Sequence, residues 1–132
     1  MSEGLVGYAG MTHLGLNSAV AAADKGFDVW CFDSDQKLTD ALIRHELPVV
    51  EPDLPELIEK NASRINFTTD LSKLADCDLV YVAPDVPTDD SGKSDLTRVE
   101  TLINQVDGVL RPDAVMVILS QVPPGFTRAR VR

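Results

Sequence analysis

The stretch LVGYAGMTHLGLNSAVAAADKGFDVWCFD, Leu5 to Asp33, has the layout strand, glycine-bearing turn, helix, turn, strand, and it ends on an acid. Leu5 to Ala9 is a short apolar run with two small residues, the pattern of a buried strand. Gly10 permits a tight turn out of that strand, because it has no Cβ to clash. From Leu14 to Lys25 the chain predicts a helix, with Gly15, Ser18, Ala19 and Ala22 three or four apart on one small-residue face that can approach a sheet closely. Gly26 follows as a C-cap, Phe27 to Phe32 as a second strand, and Asp33 stands at its C-terminal end.

This layout points to a dinucleotide site. Gly10 and Gly15 occupy the first and third positions of a GxGxxG fingerprint, and Thr12 occupies the second. A helix N-terminus presents unpaired N–H groups and the positive end of the helix dipole. The backbone of Met11, Thr12, His13 and Leu14 is therefore the candidate pyrophosphate cradle. Asp33 can accept hydrogen bonds from both hydroxyls of a ribose, and its charge repels a 2′-phosphate, which favours NAD over NADP. At Thr12 two readings stand: its Cβ blocks the pyrophosphate, or its hydroxyl replaces part of the contact. Lys37, just past the acid, either reaches the adenosine ribose or a phosphate or is a solvated lysine. His13 faces the phosphates or is a hydrogen-bonded structural histidine, and His45 at a helix C-terminus is explained by the dipole.

Beyond the first unit, strands and helices keep alternating. Asp33, Ser34 and Asp35 offer N-caps to a second helix carrying Leu38, Ala41 and Leu42, which ends near Arg44 or His45. LPVVEP (47–52) is an extended loop. Asp53 is placed to cap a third helix with Pro55 in its first turn and Leu54, Leu57 and Ile58 as its buried face, ending at Asn61 to Ser63. Ile65 to Thr68 predicts a strand, Asp70 to Leu74 a helical turn, and Leu79 to Val82 a strand buried on both faces. The loop APDVPTDDSGKS (83–94) leads to a long helix capped by Asp95 and carrying Leu96, Val99, Ile103, Val106 and Leu110. Val115 to Leu119 is a fifth strand, SQVPPG (120–125) the loop after it, and Thr127 to Arg132 the start of another helix. The alternation predicts an α/β fold, a Rossmann-like doubly wound parallel sheet in the order 3-2-1-4-5 with helices on both faces. The loops Gly10–Gly15, Val86–Thr88 and Gln121–Gly125 then meet at one edge, beside a crevice between strands 1 and 4.

Composition narrows the classes. A chain of 132 residues, 44% hydrophobic, fits one domain with a sizeable core. A net charge of −9 without a basic cluster argues against nucleic acid or an anionic membrane as partner. No apolar run approaches the roughly 20 residues of a membrane span, and the chain enters its first strand without a signal peptide, so a cytoplasmic location is expected. Cys31 and Cys77 lack a CxxC partner or a nearby histidine, so no metal is expected, and both are read as reduced, buried, small hydrophobes.

Five stretches in order carry a resemblance that covers nearly the whole chain: the glycine turn through KGFDVWCFDSD, ELPVVEPDL, FTTDL, VPTDDSGKSDL and SQVPPGFTR. Together they resemble the N-terminal NAD-binding domain of the nucleotide-sugar dehydrogenases of the UDP-glucose/GDP-mannose type. The resemblance implies oxidation of the C6 alcohol of a UDP-sugar, of the UDP-glucose or UDP-N-acetylmannosamine type, to the carboxylate, with two NAD molecules used in succession. It implies that Gly10 to Gly15 hold the pyrophosphate and Asp33 the adenosine ribose. Val86, Pro87, Thr88 and Gln121 would border the nicotinamide half. Three positions depart from the family's pattern: Thr12 replaces its second glycine, Val86 a threonine before the Pro-Thr pair, and Gln121 a threonine that places a catalytic water. Gln121 keeps a polar side chain for water or cofactor; Val86 does not.

The family's catalytic cysteine, in a glycine-rich motif, and its lysine have no counterpart in residues 1–132, and neither Cys31 nor Cys77 fits the motif. The expectation is a chain cut from a longer enzyme, lacking its central helix and sugar-nucleotide domain. Alone it would bind NAD at most and turn over no substrate; the full-length protein would be a homodimer or higher. Two other readings are a stand-alone dinucleotide-binding regulatory module and the cofactor domain of a 3-hydroxy-acid dehydrogenase; the EPDL and SQVPPG loops speak against the latter.

Overall fold

The structure, a computed structural model, describes residues 4–47, 52–86, 90–91, 95–120, 122 and 125–126. In chain order the elements are β1 (Leu5–Ala9), α1 (His13–Asp24), β2 (Asp28–Phe32), α2 (Gln36–Ile43), α3 (Leu54–Lys60), β3 (Ile65–Thr68), a 3-10 helix (Leu71–Asp76), β4 (Leu79–Val82), α4 (Thr97–Asp107) and β5 (Val115–Ile118). The five strands form one sheet in the order β3-β2-β1-β4-β5, and every neighbouring pair is parallel. The predicted α/β architecture and strand order are those observed.

Side chains alternate across a strand, so each strand feeds two cores. Val6, Tyr8, Val29 and Cys31 face α1, which buries Leu16, Ala19, Val20 and Ala23 against them, with Leu42 of α2 and Leu54 and Ile58 of α3 completing that side. Ala9, Phe32 and Val80 face the other way, toward Leu74 and Cys77 and Val106 of α4. Val82, Val99, Ile103 and Phe126 form a third cluster beside the C-terminal ends of β4 and β5.

Several expectations shift by a residue for local reasons. Helix α1 starts at His13 rather than Leu14 because the Thr12 hydroxyl caps it, accepting from Gly15 N–H at 3.2 Å. Its buried face includes the larger Leu16 and Val20, while Ser18 and Ala22 are only half-buried. Strand β2 starts at Asp28, because Phe27 N–H closes the end of α1 on Ala22 O. Asp53 does not cap α3: its backbone is helical, at φ −101° and ψ −6°, not the extended form that aims a side chain at the first turn. Helix α4 starts at Thr97, whose N–H donates to the Asp95 carboxylate at 3.0 Å. Strand β4 is fully buried on one face only; Leu79 and Tyr81 on the other are half-buried. Strand β5 ends at Ile118, although Leu119 N–H still donates to Val82 O at 2.9 Å. The helix expected at 127–132 lies outside the described residues, as do residues 48–51 of the LPVVEP loop.

Candidate dinucleotide site

The two fingerprint glycines do different jobs. Gly10 has φ +102°, and a Cβ there would sit 2.9 Å from Pro84 N and 3.0 Å from Ala83 C. A side chain would therefore be strained by the backbone and would collide with the loop leaving β4. A Cβ on Gly15 would sit 2.1 Å from Gly10 O. Gly15 thus lets the first turn of α1 fold directly onto the turn before it.

The Thr12 side chain is held within the protein. Its hydroxyl donates to Ala83 O at 2.7 Å and accepts from Gly15 N–H at 3.2 Å. It caps α1 and ties the glycine turn to the loop after β4 in one step. Ser120, buried, donates to Pro84 O and ties that same loop to the one after β5. The C-terminal ends of β1, β4 and β5 are thereby joined at one edge, where ligands bind in open parallel sheets.

Asp33 lies beside the turn. Its Oδ2 accepts from Met11 N–H at 2.8 Å, and its Oδ1 accepts from Asp35 N–H at 2.9 Å. Each carboxylate oxygen keeps a further lone pair for an incoming hydroxyl. The bond to Asp33 also commits the Met11 N–H within the protein, and the Met11 side chain is buried. His13 and Leu14 sit exposed in the first turn of α1.

These groups open onto a cleft of about 280 Å³. Gly10, Thr12, Phe32, Asp33, Ser34 and Pro84 line it together with a wall from α4 made of Thr97, Arg98, Thr101, Leu102 and Gln105. The α4 wall is absent from the residues picked out in the sequence. Its signal was available: Thr97, Thr101 and Gln105 recur every four residues on the side of the helix away from the buried Val99, Ile103 and Val106.

Lys37 is exposed on α2 and does not line the cleft. Val86 packs its side chain against the cluster of Val82, Val99, Ile103 and Phe126. Pro87, Thr88 and Gln121 lie outside the described residues. Cys31 and Cys77 are free, buried and away from the cleft; burial pushes the Cys31 thiol up and raises Cys77 to about 11. Among the described residues no group of three His, Cys, Asp or Glu could hold a metal ion, and no helix is long and apolar enough to cross a membrane.

A doubly wound parallel sheet with a glycine turn, a capped helix N-terminus and an acid at the end of β2 defines a dinucleotide-binding domain of the Rossmann type. Residues 5–132 match the NAD binding domain of the UDP-glucose/GDP-mannose dehydrogenase family, and the chain belongs to that family. UDP-glucose 6-dehydrogenase of Rhizobium meliloti is 36% identical over 120 residues, 88% of this chain and 28% of the relative. Among solved structures, NDP-N-acetyl-D-galactosaminuronic acid dehydrogenase from Methanosarcina mazei superposes with a TM-score of 0.88 at 28% identity, over 98% of this chain and 30% of that one. GDP-mannose dehydrogenase from Pseudomonas aeruginosa gives 0.86 at 25% identity, over 93% and 30%. The chain thus spans between a quarter and a third of the length of these relatives.

Proposed function

We propose that this chain is the cofactor-binding part of a longer NAD-dependent nucleotide-sugar dehydrogenase that oxidises the C6 alcohol of a UDP-sugar to the carboxylate. The observation that carries the reading is one of geometry: the Asp33 carboxylate, held at 2.8 Å by Met11 N–H, shares a single cleft with the glycine turn. The residues fit the cofactor. Gly10 and Gly15 let backbone approach backbone, and the first turn of α1, at His13 and Leu14, faces the pyrophosphate. Asp33 takes the ribose hydroxyls with an orientation fixed in advance by two backbone donors. Thr12 holds the turn rather than the ligand. Pro87, Thr88 and Gln121 border the nicotinamide half on the strength of the family's motifs. NAD, when bound, supplies the hydride acceptor.

The rest of the enzyme follows from the family and from the share of its relatives that this chain spans. The rest of that enzyme carries the catalytic cysteine and most contacts to the nucleotide sugar, and the full-length protein is a homodimer or higher. The two free, buried thiols suit the reducing cytoplasm. The chain alone turns over no substrate; NADH formation from UDP-glucose by this chain would overturn that.

Calorimetric titration with NAD and NADP tests the cofactor role. The wild-type domain is expected to bind NAD more tightly than NADP. Asp33→Ala is expected to weaken NAD by about tenfold or more, the scale of a hydrogen bond to a charged group. It should also move the NAD:NADP preference toward NADP, because the repulsion of a 2′-phosphate is gone. An unchanged preference would remove Asp33 from the ribose site, and that ratio is insensitive to general loosening of the turn.

A further inference from the structure

The α4 wall of the cleft carries a cation that has no hydrogen-bond or ion-pair partner among the described residues. Of the arginines in the described residues, Arg44 is held by Glu46, Arg64 by Gly26 O and Arg111 by Asp78. Arg98 forms no such bond within the described residues, and it is exposed at the rim of the cleft. Its position follows from α4 itself. Val99 and Ile103 point into the core, which turns Arg98, Thr101 and Gln105 outward over the space beside Phe32 and Pro84.

A nucleotide is a ribose with a phosphate at C5′ and a base at C1′. With the pyrophosphate at the first turn of α1 and the ribose on Asp33, the part of the cleft left for the base is the part walled by α4. The same cleft is lined by the buried, apolar Phe32 and Pro84 and by the exposed Arg98. A purine has an electron-rich face that a planar cation can cover, and hydrogen-bonding edges that a hydroxyl and an amide can meet. Resting on the cofactor reading above, we propose that Arg98 covers the adenine base of the bound dinucleotide, with Thr101 and Gln105 along its edge. Arg98 is then an affinity-determining residue of the adenosine half, which the fingerprint does not include.

Position 98 is an exposed helix position, where alanine is well tolerated, so Arg98→Ala should fold. Titration of wild type, Arg98→Ala, Arg98→Lys and Asp33→Ala with NAD and NADP tests the assignment. Arg98→Ala is expected to weaken NAD by about threefold to thirtyfold, the range of a cation over an aromatic face. NADP should weaken by the same factor, because its base is the same. Arg98→Lys, which keeps the charge and loses the planar fork, should recover little of the loss. Unchanged NAD affinity in Arg98→Ala overturns the assignment. Full recovery with lysine overturns it in favour of a point charge, and a loss confined to NADP overturns it in favour of a 2′-phosphate contact. NAD binding that Asp33→Ala weakens and Arg98→Ala does not leaves the cofactor reading standing and removes Arg98 alone. A folded wild-type domain that binds no NAD removes both.

Discussion

Thr12 stands where the fingerprint places a glycine, and it does work that a glycine could not. Its hydroxyl caps α1 and reaches Ala83 O on the loop after β4, 71 positions away in the chain. Thr12→Val keeps the volume and loses both bonds, so it should destabilise the domain by about 1–3 kcal/mol, the combined scale of a lost cap and an unsatisfied buried group. Thr12→Gly restores the family's residue and should still destabilise, because it loses the same bonds. Urea midpoints for the two variants check this, and a Thr12→Gly domain as stable as wild type would show that the bonds contribute nothing. Gly15→Ala should be worse, at about 3 kcal/mol, because its Cβ would stand 2.1 Å from a backbone oxygen that can move only by opening the turn. The glycines were legible from spacing alone, since their demand is local. Thr12 was not, because its partner comes from a distant strand, and from sequence its hydroxyl could only be set against an imagined ligand. Asp33 was legible as an acid at the right distance, but its grip on Met11 N–H required the two loops to be placed side by side.

Helices α1 and α2 end in the same way on different residues. At the end of α1, Gly26 N–H donates to Ala23 O and Phe27 N–H to Ala22 O, with Gly26 at φ +107°. At the end of α2, His45 N–H donates to Leu42 O and Glu46 N–H to Ala41 O, with His45 at φ +60°. Both are the paired closing bonds of a Schellman motif, whose left-handed residue is normally glycine. A side chain in that conformation costs roughly 1–2 kcal/mol. His45→Gly should therefore stabilise the domain by about 1 kcal/mol, seen as a higher urea midpoint at unchanged slope. A fall in the midpoint would mean that the His45 side chain contributes more than its strain costs. From sequence, His45 was explained by the dipole of the helix it follows, which is compatible with its place but misses the strain. Strands β3 and β4 were legible to the residue, because short apolar runs between turn signals leave one choice. The α4 wall was not. A polar helix face reads as surface until the fold shows which surface it is.

At the scale of the molecule, acidity and the core pull on stability from different sides. The fold buries Tyr8, Cys31 and Cys77 in neighbouring layers. Burial raises Tyr8 from 10.0 to about 12, with Tyr81, stacked on it at 4.9 Å, adding to the shift. Burial likewise raises Cys77 from 9.0 to about 11, with Asp76 and Asp78 adding, and pushes Cys31 up as well. All three are neutral when protonated, and all three hold their protons more tightly folded than unfolded. Their contribution to stability is fully present below the unfolded values, near pH 9 for the thiols and 10 for the phenol. It is lost as pH rises through the folded values, because the unfolded chain releases these protons first. The urea midpoint should therefore hold from neutral pH to about 9 and fall steeply above it. Cys31→Ala/Cys77→Ala would lower the whole curve by opening the core, but should flatten its slope between about pH 9 and 10, where the thiols of the unfolded chain release their protons ahead of the phenol. The same burial makes a second, independent reading of the same physics. Iodoacetamide at pH 8 should label neither cysteine in the folded domain, and in low urea both should react at one rate set by global unfolding. Faster labelling of Cys77 than of Cys31 would show that the 3-10 helix opens on its own, and that the alkaline loss belongs to that element rather than to the whole sheet.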